Sequence, residues 1–456
     1  MIQIDSKQII LGESTDELIA DRGFSPQSYG LNLTKKKGEL YFSPTATDIA
    51  GATLTGAPIT RALDRTLAGP DCYFGDNEGA FYTLANDGTF TKKQTIAADS
   101  FARGTSDLIQ YYTDPSSVYV FATGLTTIIR FNGSTLDSGA PTTDFWTGLS
   151  SGVRHPMEVV EGSLYIGDYN EIHVTNGITT TEAYVTLPPD VNITSLRKHP
   201  DGKNLIAFCG RGQNYNHTRN SQGRIYIVDL SIKSWVSEID IEAQVEGSKT
   251  VGGVVYVTYG TKLGYFNGNG LTPLKTLSSA TTYSHEMDSI EDILVVRDGR
   301  YILQYGNLGA GNVFWRSYRT PVAQDITCVA YRGDNKLIAG YADGANGGVL
   351  QQTDYDNSGS GAQGNFFSNV YNLDSEVEIR RLRLIHDITS GATIYTEYYD
   401  HETATYKPIS TFSAMSNTAV SRENVNIKTD LFQFTLSMGG DDIGFKVIRF
   451  DYGNIK

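Results

Sequence analysis

The 456-residue sequence predicts an all-β protein, a six- or seven-bladed β-propeller followed by a small antiparallel β-sandwich. Three observations carry that prediction. Gly, Tyr, Thr, Ser and Asn are plentiful, and the Ala/Leu/Glu/Lys runs that mark long helices are missing. Short apolar runs broken by Asn-Gly or Asp-Gly recur at the spacing of a propeller blade. Beyond residue 356 that repeat gives way to alternating apolar and polar residues. A chain of this length exceeds a single core, which fits a closed repeat array with an appendage.

Residues 1–65 read as an extended arm with the first strands, and the LYFSP segment near residue 40 is placed to complete the ring. MIQIDSKQIILGESTDELIADRGFSP has no basic stretch leading into an apolar one, so no secretion signal is expected. No window approaches the roughly 20 apolar residues that cross a bilayer, so no anchor is expected either. Lys35, Lys36 and Lys37 read as a solvated flank of a strand.

Residues 66–356 read as the propeller. KLGYFNGNGLTPL (262–274) has a near-twin in TIIRFNGSTLDSG (127–139), each an apolar run entering Phe-Asn-Gly and leaving into a second short run. Asn-Gly tolerates positive φ at both central positions of a type I′ turn, so each reads as a two-residue hairpin tip. Further tips follow at Asp87-Gly88, Asn176-Gly177 and Asp229. Successive tips from Asp87 through Asn132, Asn176 and Asp229 to Asn267 are 45, 44, 53 and 38 residues apart, the range of a four-stranded blade. The longest interval contains a polar insertion, GRGQNYNHTRNSQG (210–223). Counted this way, units fall near 71–97, 106–138, 155–187, 192–240, 244–278, 283–320 and 325–356.

Residues 357–456 read as the sandwich. A Gly/Ser/Asn stretch links it to the propeller, and EVEIRRLRLIHDI then sets Val377, Ile379, Leu382 and Leu384 against charged neighbours. ATIYTEYYDHETATYKPI reads as a hairpin, and the last strand, FKVIRFDYG, is expected to be central.

The residues offer little chemistry. Cys72, Cys209 and Cys328 are far apart in strand-like runs and read as small buried hydrophobes. Histidines 155, 173, 199, 217, 285, 386 and 401 are scattered without a His-Glu-x-x-His spacing and read as surface or turn residues. GLSSG (148–152) has the Gly-x-Ser-x-Gly spacing but not the strand-then-helix setting of a nucleophile elbow, no phosphate-binding loop occurs, and the Ser-x-Asp-x-Gly-x-x-Trp boxes of sialidase propellers are absent. Asp354, Asp356 and Ser358 begin like a calcium loop, but Asn365 stands where its acidic twelfth ligand belongs. The sequons at Asn32, Asn132, Asn192 and Asn216 are what chance gives a chain of this composition. The expected catalytic, cofactor and metal residues are therefore none. A formal net charge of -14 argues against holding nucleic-acid phosphates, which bind through Lys and Arg. Arg380, Arg381 and Arg383 either pair with acids of a neighbouring subunit or keep a strand face wet.

An acidic propeller of loose repeats, followed by a sandwich that opens with IRRLRLIHD and closes with IGFKVIRFDYG, resembles virion proteins of tailed bacteriophages, namely the packaged-DNA stabilisation (head completion) and tail nozzle or hub proteins of short-tailed phages. GLNLTKKKGELYFSPTATDI resembles the arms with which such proteins dock onto adjacent rings. The resemblance implies a homo-oligomeric ring, a hexamer by family, in the virion tail or connector, assembled in the host cytoplasm against portal and adaptor proteins. It implies closure of the DNA channel after packaging and passage of viral DNA through an acidic lumen without sequence-specific binding, and no enzymatic activity. The alternative from another class is a carbohydrate-recognising propeller, a phage receptor-binding protein or lectin, with Trp146, Trp235 and Trp315 as stacking platforms. A propeller glycosidase is the third reading, with no acid pair assignable from sequence.

Overall fold

The computed structural model describes residues 2–4, 28–29, 31–33, 40–42, 46–49, 59–64, 72–76, 79–85, 89–95, 107–114, 117–124, 126–132, 135–136, 145–211, 222–278, 287–308, 311–320, 324–332, 336–343, 346–352, 362–388, 393–412, 420–440 and 443–454. Seven antiparallel sheets follow one another along the chain. The first blade is Ile59–Asp64, Cys72–Asp76, Ala80–Leu84 and Phe90–Thr95. The second is built on Leu108–Asp114, Ser117–Thr123 and Thr127–Asn132, with two short strands on the last. The third to sixth span 157–186, 191–241, 245–276 and 287–319, four strands each. In the seventh, Gln324–Arg332, Lys336–Asp343 and Asn346–Gln352 take Thr47–Asp48 as their outermost strand. Leu350 faces Asp48 and Gln351 faces Thr47, and Ile49 N donates to Val349 O at 3.0 Å. The ring is thus closed by a strand from near the chain's start, and the inner strands touch their neighbours all the way round.

The second to seventh blades lie where the Asn-Gly rhythm put them, while the first starts before residue 66, its inner strand Ile59–Asp64 falling in the segment read as an arm; the tips are of another kind. Asn176–Thr179 and Asn267–Gly270 are four-residue loops, closed by Asn176 N donating to Thr179 O and Asn267 N to Gly270 O. Only the glycine of each pair has positive φ, 85° at Gly177 and 92° at Gly268. The asparagine instead accepts with its side chain, Asn176 Oδ1 taking the N–H groups of Ile178 and Thr179 at 2.9 Å. Asp229 works the same way, with Oδ1 accepting from Ser231 N at 2.9 Å and Ser231 Oγ at 2.6 Å. Two-residue turns with positive φ at both positions sit two hairpins earlier, at Glu161-Gly162 and Gly252-Gly253. The pairs at Asp87-Gly88 and Asn132-Gly133 fall wholly or partly outside the described residues.

Beyond the propeller, two sheets face each other. One holds Leu31–Asn32, Leu40–Phe42, Ile443–Asn454, Tyr371–Ile388 and Val420–Phe432 in that order, with Ile2–Ile4 also on Ile443–Asn454. The other is Ala362–Phe367, Phe434–Gly440, Thr393–Asp400 and Thr405–Phe412. The last strand is central, as expected, flanked on one side by Tyr371–Ile388 and on the other by strands from the N-terminal segment. The LYF of LYFSP therefore pairs with the sandwich, and ring closure falls to Thr47–Asp48 instead. A bulge at Arg380 and Arg381, both exposed, shifts the buried set from Val377 and Ile379 to Leu382 and Leu384. Trp315 and Leu308 of the sixth blade belong to the same continuous buried cluster as Leu31, Leu40, Phe434 and Phe450 of the sandwich. Propeller and sandwich therefore share this cluster, beside the clusters between the blades.

Candidate functional site

The inner strands of a propeller line its central channel, where ligands of such folds often sit. Here Glu158, Arg197, Lys249 and Asp288 on those strands reach sideways to the next blade. Glu158 of the third blade accepts from Arg197 Nη1 of the fourth at 2.9 Å, and Arg197 Nε donates on to Ser248 O of the fifth at 3.0 Å. Ser195 and Ser248 share a 2.5 Å hydrogen bond across the same boundary. Lys249 donates to Asp288 Oδ1 of the sixth blade at 2.7 Å, and Asp288 Oδ2 accepts from Tyr331 N of the seventh at 2.8 Å. Thr327 then donates to Ile59 O of the first blade. The belt holds the acids Glu158 and Asp288 and the bases Arg197 and Lys249, so its charges balance. Burial pushes the Glu158 carboxyl up, and the charge and hydrogen bond of Arg197 pull against that rise. At the start of the inner strands Arg154 reaches Glu246 O two blades away, and Gln244 donates to Glu246.

A second cluster gathers on Asp168, the last residue of Ser163–Asp168. Ser150 N lies 3.0 Å from both carboxylate oxygens and Ser150 Oγ donates at 3.1 Å. His173 Nδ1 accepts from Ala183 N at 2.9 Å, so the ring proton is on Nε2, 3.4 Å from Asp168 Oδ2. His155 Nδ1 is 3.4 Å from Asp168 Oδ1. Burial raises the carboxyl's affinity for a proton, but the His173 bond, the His155 charge and the Ser150 N–H outweigh it and hold Asp168 below the usual aspartate range. The order is Ser–Asp–His, with the carboxylate in the middle and the serine hydroxyl given to it. In a nucleophilic triad the imidazole touches the hydroxyl. This cluster instead pins the chain where it enters the third blade.

Aspartates at the same place in two other blades are also buried acceptors, and Asp298 likewise holds the chain entering its blade. Asp76 accepts from Ala80 N and Tyr82 OH, each at 2.8 Å. Asp298 accepts from Ser278 N at 2.5 Å and Ser278 Oγ at 2.6 Å. All three end the second strand of their blades, in CYFGD, SLYIGD and ILVVRD. That ending is a signal the sequence reading passed over.

Three histidines correct the expectation of surface or turn positions. His155, His173 and His386 are buried, the first two on Asp168 and the third against Ser421 Oγ at 2.9 Å. His199 lies in a turn beside Asp201, His401 is exposed, and His217 and His285 lie outside the described residues. Cys72, Cys209 and Cys328 are buried and unbridged. Trp315 is fully buried and presents no stacking face, Trp146 packs on His173 at 4.9 Å, and Trp235 is 38% exposed. Lys35 to Lys37 and the Asp354, Asp356 and Ser358 group lie outside the described residues.

No family model matches the sequence, and no curated protein matches it. Solved structures with a similar fold include the WD40 domain of Neurospora crassa Pan2, at 10% identity and a TM-score of 0.47, covering 68% of this chain and 96% of that one. The WD40 propeller of Doa1 is 10% identical with a TM-score of 0.46, covering 67% and 99%. The extracellular domain of the hybrid two-component system BT4673 from B. thetaiotaomicron is 12% identical with a TM-score of 0.46, covering 68% and 39%. Likeness at this level concerns fold alone, and the propeller assignment rests on the sheet order above.

Proposed function

We propose that the chain is a structural component of a bacteriophage tail or head-to-tail connector, a nozzle or hub ring that closes the DNA channel after packaging and passes DNA at infection. It acts by assembly and carries no reaction. The observation that supports this reading is the belt: Glu158, Arg197, Lys249 and Asp288 spend their charge on neighbouring blades. Side chains that hold a ligand or move a proton need a free face, whereas these stiffen the ring. The shared core around Trp315 adds to this, because a part under internal pressure gains from moving as one block. On this reading DNA passes through the lumen enclosed by several copies.

The test is binding. Purified chain should be captured by a portal–adaptor complex from the same genome and should leave a glycan array blank. Glycan binding without capture would replace this reading with the receptor-recognition one, for which Trp235 is the most exposed of the three tryptophans.

A further inference from the structure

We propose that the free edge of strand Val420–Phe432 is a twofold contact with a second copy of this chain. The strand is the last of its sheet and pairs only with Tyr371–Ile388 among the described residues. It runs 13 residues with no proline or glycine, whereas the neighbouring edge strand Thr405–Phe412 carries Pro408. Such an edge presents a row of backbone donors and acceptors ready for another strand.

The side chains say which strand fits. Exposure alternates along it, with Arg422, Asn424, Asn426, Lys428 and Asp430 outward and Val425 and Ile427 toward the sandwich core. Laid antiparallel on itself about Asn426, the strand sets Arg422 opposite Asp430, Asn424 opposite Lys428, and Val425 opposite Ile427. Opposite charges meet, apolar residues meet, and no like charges coincide. Within its own sheet Arg422 fares worse. It stands opposite Arg383, which stands opposite Arg449. The carboxylate nearby, Asp451, is taken by Arg383 at 2.8 Å and Arg449 at 2.9 Å. Among the described residues neither Arg422 nor Asp430 has an ion-pair partner. The second copy's Asp430 supplies the counter-charge that Arg422 lacks. The ladder to Tyr371–Ile388 sets Val425 and Asn426 together opposite Arg380, a bulge in the edge strand, yet exposure keeps its alternation from Val420 to Leu431, so the outward row of side chains is continuous.

This contact goes beyond the ring reading and does not depend on it. A twofold joins sandwiches in pairs, so a ring that uses it stacks on a second ring.

The decisive variant is Asn426→Cys, because the axis passes beside that residue. Facing Cα atoms in an antiparallel pair are about 4.5–5.5 Å apart, inside the span of about 4.4–6.8 Å that a disulfide bridges. The natural cysteines are buried, so background crosslinking is low. Under mild oxidation N426C should give a covalent dimer, while Glu402→Cys on an exposed turn should not. By sedimentation equilibrium, R422D and D430R should each weaken self-association about tenfold, since each places two like-charged pairs across the axis. The double swap R422D/D430R should regain wild-type association. The proposal falls if N426C crosslinks no faster than E402C. It also falls if the double swap melts like wild type by circular dichroism yet stays as weak as the single variants. Rings that form without the N426C crosslink would sink the twofold and leave the ring reading; crosslinked dimers that never form rings would do the reverse.

Discussion

Replacing Trp315 by alanine tests whether propeller and sandwich are one block. The indole is fully buried in the cluster that runs from the sixth blade to Leu31, Leu40 and Phe450. Truncating a buried tryptophan costs about 3–5 kcal/mol through lost transfer energy and the cavity left behind. Against this, Trp315 Nε1 has no hydrogen-bond partner among the described residues, and an unpaired buried donor already costs the wild type about 1–3 kcal/mol. The two partly offset, leaving a net loss of about 2 kcal/mol for W315A. W315F keeps most of the apolar volume and discards the unpaired N–H, so it should fall within about 1 kcal/mol of wild type. Urea unfolding read by circular dichroism, with proteolysis of the sandwich as a second probe, measures both. In W315A the sandwich should become cleavable before the propeller unfolds. A W315A protein within about 0.5 kcal/mol of wild type, or a W315F protein weaker than W315A, would refute the shared core.

Three further outcomes are expected. Asp168→Asn should cost about 2–4 kcal/mol, because an amide nitrogen meets the donors of Ser150 or His173; and since the Asp168 carboxyl is held below its unfolded value near 3.9, its contribution is present above that pH and is lost as pH falls through the folded value. Acid titration of stability should therefore be flatter in D168N. Arg197→Met should leave the Glu158 carboxyl, already raised by burial, higher still, so stability present below the unfolded pKa is lost as pH rises through the folded one. With roughly a fifth of each side chain open to water, the loss at neutral pH should be about 1–3 kcal/mol, and E158Q/R197M should be milder than R197M. Gly167→Ala would set a Cβ 2.8 Å from Ile193 Cγ2 and 3.0 Å from Pro156 Cγ, costing about 1–3 kcal/mol in thermal melts, and should cost less in an I193A background than in the wild type.

The sequence made the blades legible because hairpin tips demand particular residues. Asn176 and Asn267 mark their tips whether the loop has two residues or four, since an asparagine side chain can close the longer loop and a glycine supplies positive φ in both. Loop length was not legible, because it depends on how far Thr180 and Leu271 sit from the preceding strand once the blades pack. The partners of Thr47–Asp48 and Leu40–Phe42 were equally hidden: strands of two and three residues have no periodicity, and their places lie about 300 and 400 residues further along the chain. The Asp168 cluster had a local signal, the aspartate ending a strand in SLYIGD and again in CYFGD, but nothing in the spacing shows that His155 and His173, on either side of that strand, turn their rings to it. The belt had none, since Glu158 and Arg197 look like ordinary strand charges until adjacent inner strands stand side by side.

Electron microscopy of the purified chain at micromolar concentration tests self-assembly most directly. Closed rings with the propellers set around a common lumen are predicted. Single propellers at every concentration, each with its own sandwich and no neighbour, would contradict it.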